Sequence, residues 1–297
     1  MPAAAGLKIV AASCANIRDV APQPVWAEVA AERPDVLLLL GDSVYLEHDD
    51  HSDPRLLAAE LRSLYARQFA DPHFSALRAD LQQRGALLAA IYDDHDFVGD
   101  NRGGLDAPDA LRAAARAEFV AAFAPLMTGA DVHRVHHLGA VDLIVLDTRF
   151  YRSNAASSGL DRDAILGTGQ WAWFERVVAA SSAAHLVVAS STTLHAFGDQ
   201  SWEQYPAAFD RILGLLRGRA GALVVSGDAH LNAAYDESGV IEVVTSAVAQ
   251  RSRRFGSLRQ NYAVLSFEAE SLQVQLRSLK IGSRFDFTIA LRDWRLP

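Results

Sequence analysis

The sequence predicts an α/β protein built from two packed mixed β-sheets flanked by helices. Three observations carry this prediction. Short continuous apolar runs recur along the 297 residues, each ending in small or polar residues. Stretches with helical periodicity lie between them. Near the end of the chain the pattern switches to alternation.

The apolar runs are LKIVAAS (7–13), DVLLLLGD (35–42), GALLAAIYDD (85–94), VDLIVLDTR (141–149), HLVVASS (185–191), ALVVSGD (222–228) and VIEVVTS (240–246). Uninterrupted runs of this length suit strands buried on both faces. Helical patterns occupy 24–33, 53–69, 108–126, 169–181 and 201–218. Asp53 reads as the N-cap of the second helix, with Pro54 at its first position. Ser201 reads as a cap of the last. Strand–helix alternation implies a sheet that is at least partly parallel. YAVLSFEA (262–269) and LQVQLRSL (272–279) alternate and read as a hairpin, and 284–294 adds another strand. An antiparallel meander appended to an α/β layer gives the second sheet. Without a repeat, low-complexity tract or linker, a single domain over 1–297 is expected.

Composition excludes several classes. Half the residues are hydrophobic, enough for a sizeable core. With 28 Lys+Arg against 36 Asp+Glu, the net charge of −8 argues against a broad nucleic-acid-binding face. A small anionic substrate stays open, because local cations override net charge. Cys14 is the single cysteine, so no intrachain disulfide forms. The opening MPAAAGLKIVAAS lacks a charged segment followed by a long apolar one. No signal peptide is therefore expected, and a cytoplasmic location is favoured. No apolar run approaches the roughly 20 residues of a membrane helix.

In open α/β sheets, sites form beyond the carboxyl ends of the strands. Cys14 follows the first run, and Asp42 and Tyr45 follow the second. The third leads into Asp93, Asp94, His95 and Asp96, the fourth into Asp147, Arg149 and Arg152, and the sixth into Asp228 and His230. One Gly-Asp after a strand is an ordinary turn. Many carboxylates on one rim repel one another, and metal ions remove that cost. Taken alone, Cys14 and Tyr45 read as core residues, and His230 reads equally as a turn histidine or as a side chain aimed with Asp228 at one locus.

Cys14, GDSVY (41–45), DDHD (93–96), LDTRFYR (146–152), GQWAWF (169–174) and SGDAH (226–230) occur in an order that resembles the alkaline phosphatase D-like (PhoD-like) metallophosphoesterases. These are members of the calcineurin-like metallophosphoesterase superfamily. The resemblance implies a four-layer sandwich and a two-metal site. By resemblance, Cys14, Asp42, Tyr45 and His230 hold one metal, similar to ferric iron. Asp42 bridges to a second, which Asp94 and Asp228 also bind. That ion is calcium, or another divalent such as Mn2+, Zn2+ or Mg2+. His95 then lies at the leaving-group oxygen, Asp96 orients His95, and Arg149 contacts phosphoryl oxygens. The donor chemistry agrees: thiolate and phenolate suit a hard, highly charged iron, and carboxylates suit calcium.

The reaction implied is phosphoric ester hydrolysis, a hydroxide at the metals attacking phosphorus in line. Substrate choice among monoester, diester and phospholipid stays open. The competing class is a non-catalytic phosphate- or metal-binding protein with a degenerate site. Asn101, in GDNRGG, is placed as a substrate contact or a neighbour of a ligand. Trp202 and Tyr205 either wall the pocket or pack a helix start. His195 is weighed as an extra ligand, and 251–254 as a basic rim.

Overall fold

A computed structural model of the chain describes residues 6–48, 50–123, 132–153, 165–195, 200–251, 258–279 and 283–297. The basic run at 251–254 falls almost wholly outside the described residues. In chain order the elements are β1 (Leu7–Ala12), α1 (Val25–Ala31), β2 (Val36–Leu40), α2 (Pro54–Ala70), α3 (Pro72–Arg84), β3 (Leu87–Ile91) and α4 (Asp109–Phe123). Then come β4 (Arg134–Leu138), β5 (Val141–Val145), α5 (Gly167–Ala180), β6 (His185–Ser190), α6 (Pro206–Leu216) and β7 (Ala222–Ser226). The remainder is β: β8 (Asn232–Glu237), β9 (Val240–Thr245), β10 (Gln250–Arg251), β11 (Leu258–Arg259), β12 (Asn261–Phe267), β13 (Ser271–Ser278) and β14 (Ser283–Ala290).

Two six-stranded mixed sheets form, in the orders β14-β13-β12-β1-β2-β3 and β4-β5-β6-β7-β9-β8. The pairs β1–β2, β2–β3, β5–β6, β6–β7 and β7–β9 are parallel. The hairpin β12–β13 extends the first sheet antiparallel to β1, as the alternating sequence predicts. Period-two alternation sorts side chains between layers. Leu143, Val145, Val187, Ala189, Leu223 and Val225 face the first sheet across the central core. Ile144, Leu186, Val188 and Val224 face outward under α5 and α6, against Trp171, Phe174 and Ile212. Trp26, Leu57, Phe74 and Phe119 bring α1 to α4 into the cluster that contains the first sheet. The expected two-sheet architecture is what the structure shows.

Asp53 caps α2, its carboxylate accepting the Arg55 N–H at 2.8 Å. Ser201 does not act as a cap. A short 3₁₀ turn, Trp202–Gln204, intervenes, and α6 starts at Pro206 with no side-chain cap at Tyr205. Among the described residues, no helix is long and apolar enough to cross a membrane.

Candidate metal centre

The carboxyl ends of β1, β2, β3 and β7 meet at one rim between the sheets. The chain leaves β1 through Cys14 at φ 59° and β2 through Gly41 and Asp42 at φ 93° and 53°. It leaves β7 toward Asp228 at 62° and His230 at 53°, and Asn101 lies at 61°. The rim therefore holds five of the eight non-glycine residues with positive φ among the described residues. Such conformations cost side-chain-bearing residues and persist only where surrounding structure enforces them. Backbone bonds supply the enforcement here. Ala15 N–H donates to the Asp42 carbonyl at 2.9 Å, and Asn16 N–H to Ala249 at 2.9 Å. A parallel bridge between Ala15 and Ala249 ties the Cys14 loop to the segment that follows β9. Gly41 has no substitute: a Cβ there would stand 2.5 Å from the Asp93 Cβ.

Two donor triads result. Ligand atoms of Cys14, Asp42 and His230 lie within 4.8 Å of one another, as do those of Asp42, Asp94 and His95. Asp42 is common to both. The Tyr45 hydroxyl donates to Asp42 Oδ2 at 3.0 Å and lies 3.5 Å from His230 Nε2, which brings a phenol to the first triad. Cys14 Sγ lies 3.5 Å from Asp42 Oδ2 and 3.1 Å from Ser246 Oγ. A cleft of about 200 Å³ opens above, lined by Asp42, Asp94, His95, Asp100, Asn101, Asp228 and His230 among others. A larger cavity, about 570 Å³, lies at the opposite ends of the strands beside His137, Asp142 and Ser181 and gathers none of these residues.

The electrostatics fit a bound cation. Burial, then the charges of Cys14 and Asp94, push the Asp42 carboxyl up. Burial, then Asp93 and Asp94, do the same to Asp228. Burial also raises the Cys14 thiol, and burial with Asp42 raises the Tyr45 phenol. Asp94 goes the other way: burial would raise it, but Arg149, His95 and the Asn101 N–H outweigh that and hold it at about 2. A set of buried acids that resist ionising alone, yet include a thiol, a phenol and carboxylates within ligating distance, matches what metal ions require.

Three expectations meet a different geometry. Asp96 does not orient His95. Its buried carboxylate accepts the N–H groups of Asp93 at 2.6 Å, Ser43 at 2.8 Å and Asp42 at 3.2 Å, bracing the turns that carry the donors. The His95 ring faces Asp100, Nε2 to Oδ1 at 3.4 Å, and lies against the Tyr45 ring at 4.4 Å between centroids. Arg149 does not reach the cleft. It is fully buried, with Nε on Asp93 Oδ1 at 2.5 Å and Nη1 on Gln200 Oε1 at 2.9 Å. Trp202 is core rather than pocket wall: it is fully buried, donates to Ser190 Oγ at 3.1 Å and lies edge-on to Trp171. Tyr205 is buried too, its hydroxyl bonding Arg152 and the Ser153 carbonyl.

His195 is held apart from the rim, paired with Glu203 at 3.3 Å and Glu237 at 3.0 Å. Asn101 does line the cleft, and its N–H donates to Asp94 Oδ2 at 2.6 Å. Asp100 and Ser246 are site neighbours that strand-end reasoning passes over. Asp100 directly precedes Asn101 and so shares its signal, whereas Ser246 ends a run, VIEVVTS, whose one ionisable residue, Glu242, lies mid-strand rather than at the strand end.

The PhoD-like phosphatase family model matches residues 9–284. The chain belongs to that family. Its fold is similar to the structure of PhoD, with a TM-score of 0.77, 19% identity, and coverage of 98% of this chain and 71% of that one. A dimetal phosphatase from Danio rerio is similar at TM-score 0.62 and 11% identity, covering 97% of this chain and 100% of that one. GAP50, the anchor in the inner membrane complex of Plasmodium, is similar at 0.55 and 14%, covering 97% and 89%. No curated protein matches the sequence. Membership of the PhoD-like phosphatases supports a phosphoesterase, which accounts for a rim of donors with an open cleft.

Proposed function

We propose that the chain is a single-domain, metal-dependent phosphoric ester hydrolase that cleaves a small phosphate ester at a two-metal centre. One observation carries the reading: Asp42 belongs to two donor triads at once, the arrangement a bridging carboxylate needs. Cys14, Tyr45, Asp42 and His230 would hold an iron(III), and Asp42, Asp94 and Asp228 a calcium or other divalent ion. Bound there, the pair would supply a nucleophilic oxygen at neutral pH and neutralise charge developing on phosphorus. His95, partly exposed at the cleft and paired with Asp100, is placed to carry a proton to the leaving oxygen. Asn101 would contact the ester from the cleft wall. Asp96 fixes the turns so that the donors need no rearrangement on binding.

Turnover of p-nitrophenyl phosphate and bis-p-nitrophenyl phosphate by metal-loaded protein tests the activity and separates monoesterase from diesterase. Hydrolysis of neither, at full metal occupancy, refutes the reading. Elemental analysis with a visible spectrum tests the ions. Iron(III) on Cys14 and Tyr45 should give a charge-transfer band that C14S weakens while the fold is kept. An active, colourless protein containing zinc or manganese would remove the iron and leave the hydrolase.

A further inference from the structure

Arg149 is an internal cation among buried acids. Asp42, Asp93, Asp94 and Asp96 are buried around the strand ends, and Asp228 lies beside them. The guanidinium grips Asp93 through Nε and Gln200 through Nη1. Its Nη2 points toward Asp94 Oδ1 at 3.8 Å, beyond hydrogen-bond length, and finds no other partner. Ser191 Oγ donates to the same Asp93 Oδ1 at 2.6 Å, Asp93 Oδ2 has no hydrogen-bond partner among the described residues, and Thr148 and Ser191 share a bond of 2.6 Å. Arg152, the other buried guanidinium nearby, is occupied by Tyr205 and the Gln200 carbonyl. The Arg149–Asp93 pair is thus buried beside the strand-end carboxylates, and neither residue lines the cleft.

We propose that Arg149 is a positioning residue, an internal counter-ion that through Asp93 sets the charge against which the divalent ion binds, and that it makes no contact with the phosphoryl group. The proposal rests on the metal-centre reading above. A cation so near Asp94 opposes a second cation there, and Asp93 offsets that opposition. Removing each partner therefore shifts metal affinity in opposite directions. Even when screened as in water, a unit charge about 4 Å from a divalent ion changes its affinity by about tenfold or more.

The test is calorimetric titration of Ca2+ alone into chelator-treated protein, with KM for p-nitrophenyl phosphate measured at saturating Ca2+. R149M should bind calcium about tenfold more tightly. R149K, which keeps the charge, should stay near wild type, and D93N should bind about tenfold more weakly. KM should stay within about twofold in the Arg149 variants, because no substrate contact is lost. R149M with a large rise in KM and unchanged calcium affinity overturns the proposal in favour of a phosphoryl contact. R149M that weakens calcium binding as D93N does overturns it in favour of a scaffold role without a charge effect. If R149M does not fold, D93N decides: unchanged calcium affinity there refutes the proposal. Wild-type protein that takes up no calcium or manganese refutes the metal centre as well, whereas unchanged affinity in the variants refutes only this inference.

Discussion

Gly227 joins β7 to the turn that carries Asp228 and His230, and it offers a sharp perturbation. A Cβ at this position would stand 2.7 Å from the Leu40 carbonyl oxygen and 2.9 Å from Ser13 Oγ. Ordinary contact begins at 3.4 Å, so G227A must open the Leu40 contact by about 0.7 Å (3.4 − 2.7). Leu40 ends β2, is paired with Ile91 of β3 and is followed by Gly41 and Asp42. The relief therefore comes from the gap between Asp42 on one side and Asp228 and His230 on the other. Metal sites tolerate distance errors of about 0.2 Å. We expect G227A to lower metal affinity by about 10- to 100-fold, as loss of supporting structure does elsewhere. It should also destabilise the fold by about 1–3 kcal/mol, the ordinary cost of overpacking. Elemental analysis after dialysis and calcium titration read the first effect, and the urea midpoint reads the second. G214A is the control: Gly214 sits within α6 and a Cβ there meets nothing within 4 Å. Alanine should be neutral or stabilising there by about 0.5–1 kcal/mol. A G227A protein with wild-type metal content and urea midpoint would refute the argument that this turn is wedged against β2.

Two further outcomes separate core from site. W202F should lower stability by about 2 kcal/mol, from the lost bond to Ser190 and thinner packing on Trp171, and leave KM for p-nitrophenyl phosphate unchanged; a tenfold rise in KM at full stability would return Trp202 to the pocket wall. His136 on β4 titrates at about 4 rather than 6.5, because burial and then Arg134 and His137 disfavour its charged form. The unfolded chain therefore takes up that proton first as pH falls. Stability from this group is present above pH 6.5 and drains between 6.5 and 4. H136Q should flatten that part of the profile, measured as urea midpoints on both sides of the window, and identical profiles would refute it.

The buried strands were legible because β2, β5, β6, β7 and β9 are buried along their whole length, which forces uninterrupted apolar runs. β8 was not. Asn232–Glu237 is mixed in character and depends on pairing with β9 across Ser238 and Gly239, both at positive φ. That Ser-Gly pair was the hairpin signal available. Nor was α3, where only Phe74, Leu77 and Leu81 are buried and the rest of the helix is polar. The clustering of donors at strand ends could be read from local order alone. What could not be read was the direction of each neighbour: Arg149 turns inward to Asp93, Asp96 turns to backbone N–H groups, and Asp100 takes the place beside His95. Those choices depend on where the strand ends meet in space, and no spacing along the chain records that.

The pairing of β1 has a consequence for how the molecule is made. Its two neighbours are β2, close in sequence, and β12, where Leu7 faces Phe267. Synthesis at about 5–20 residues per second leaves roughly 10–50 s between emergence of the two partners. During that interval the first strand carries an open edge, and open edges recruit other chains. The Cys14 loop, which hangs from β1, is stitched to Ala249 and so also waits for late sequence. The nascent chain therefore carries that open edge until its last third is made, and a chain truncated before β12 leaves β1 uncovered on that side.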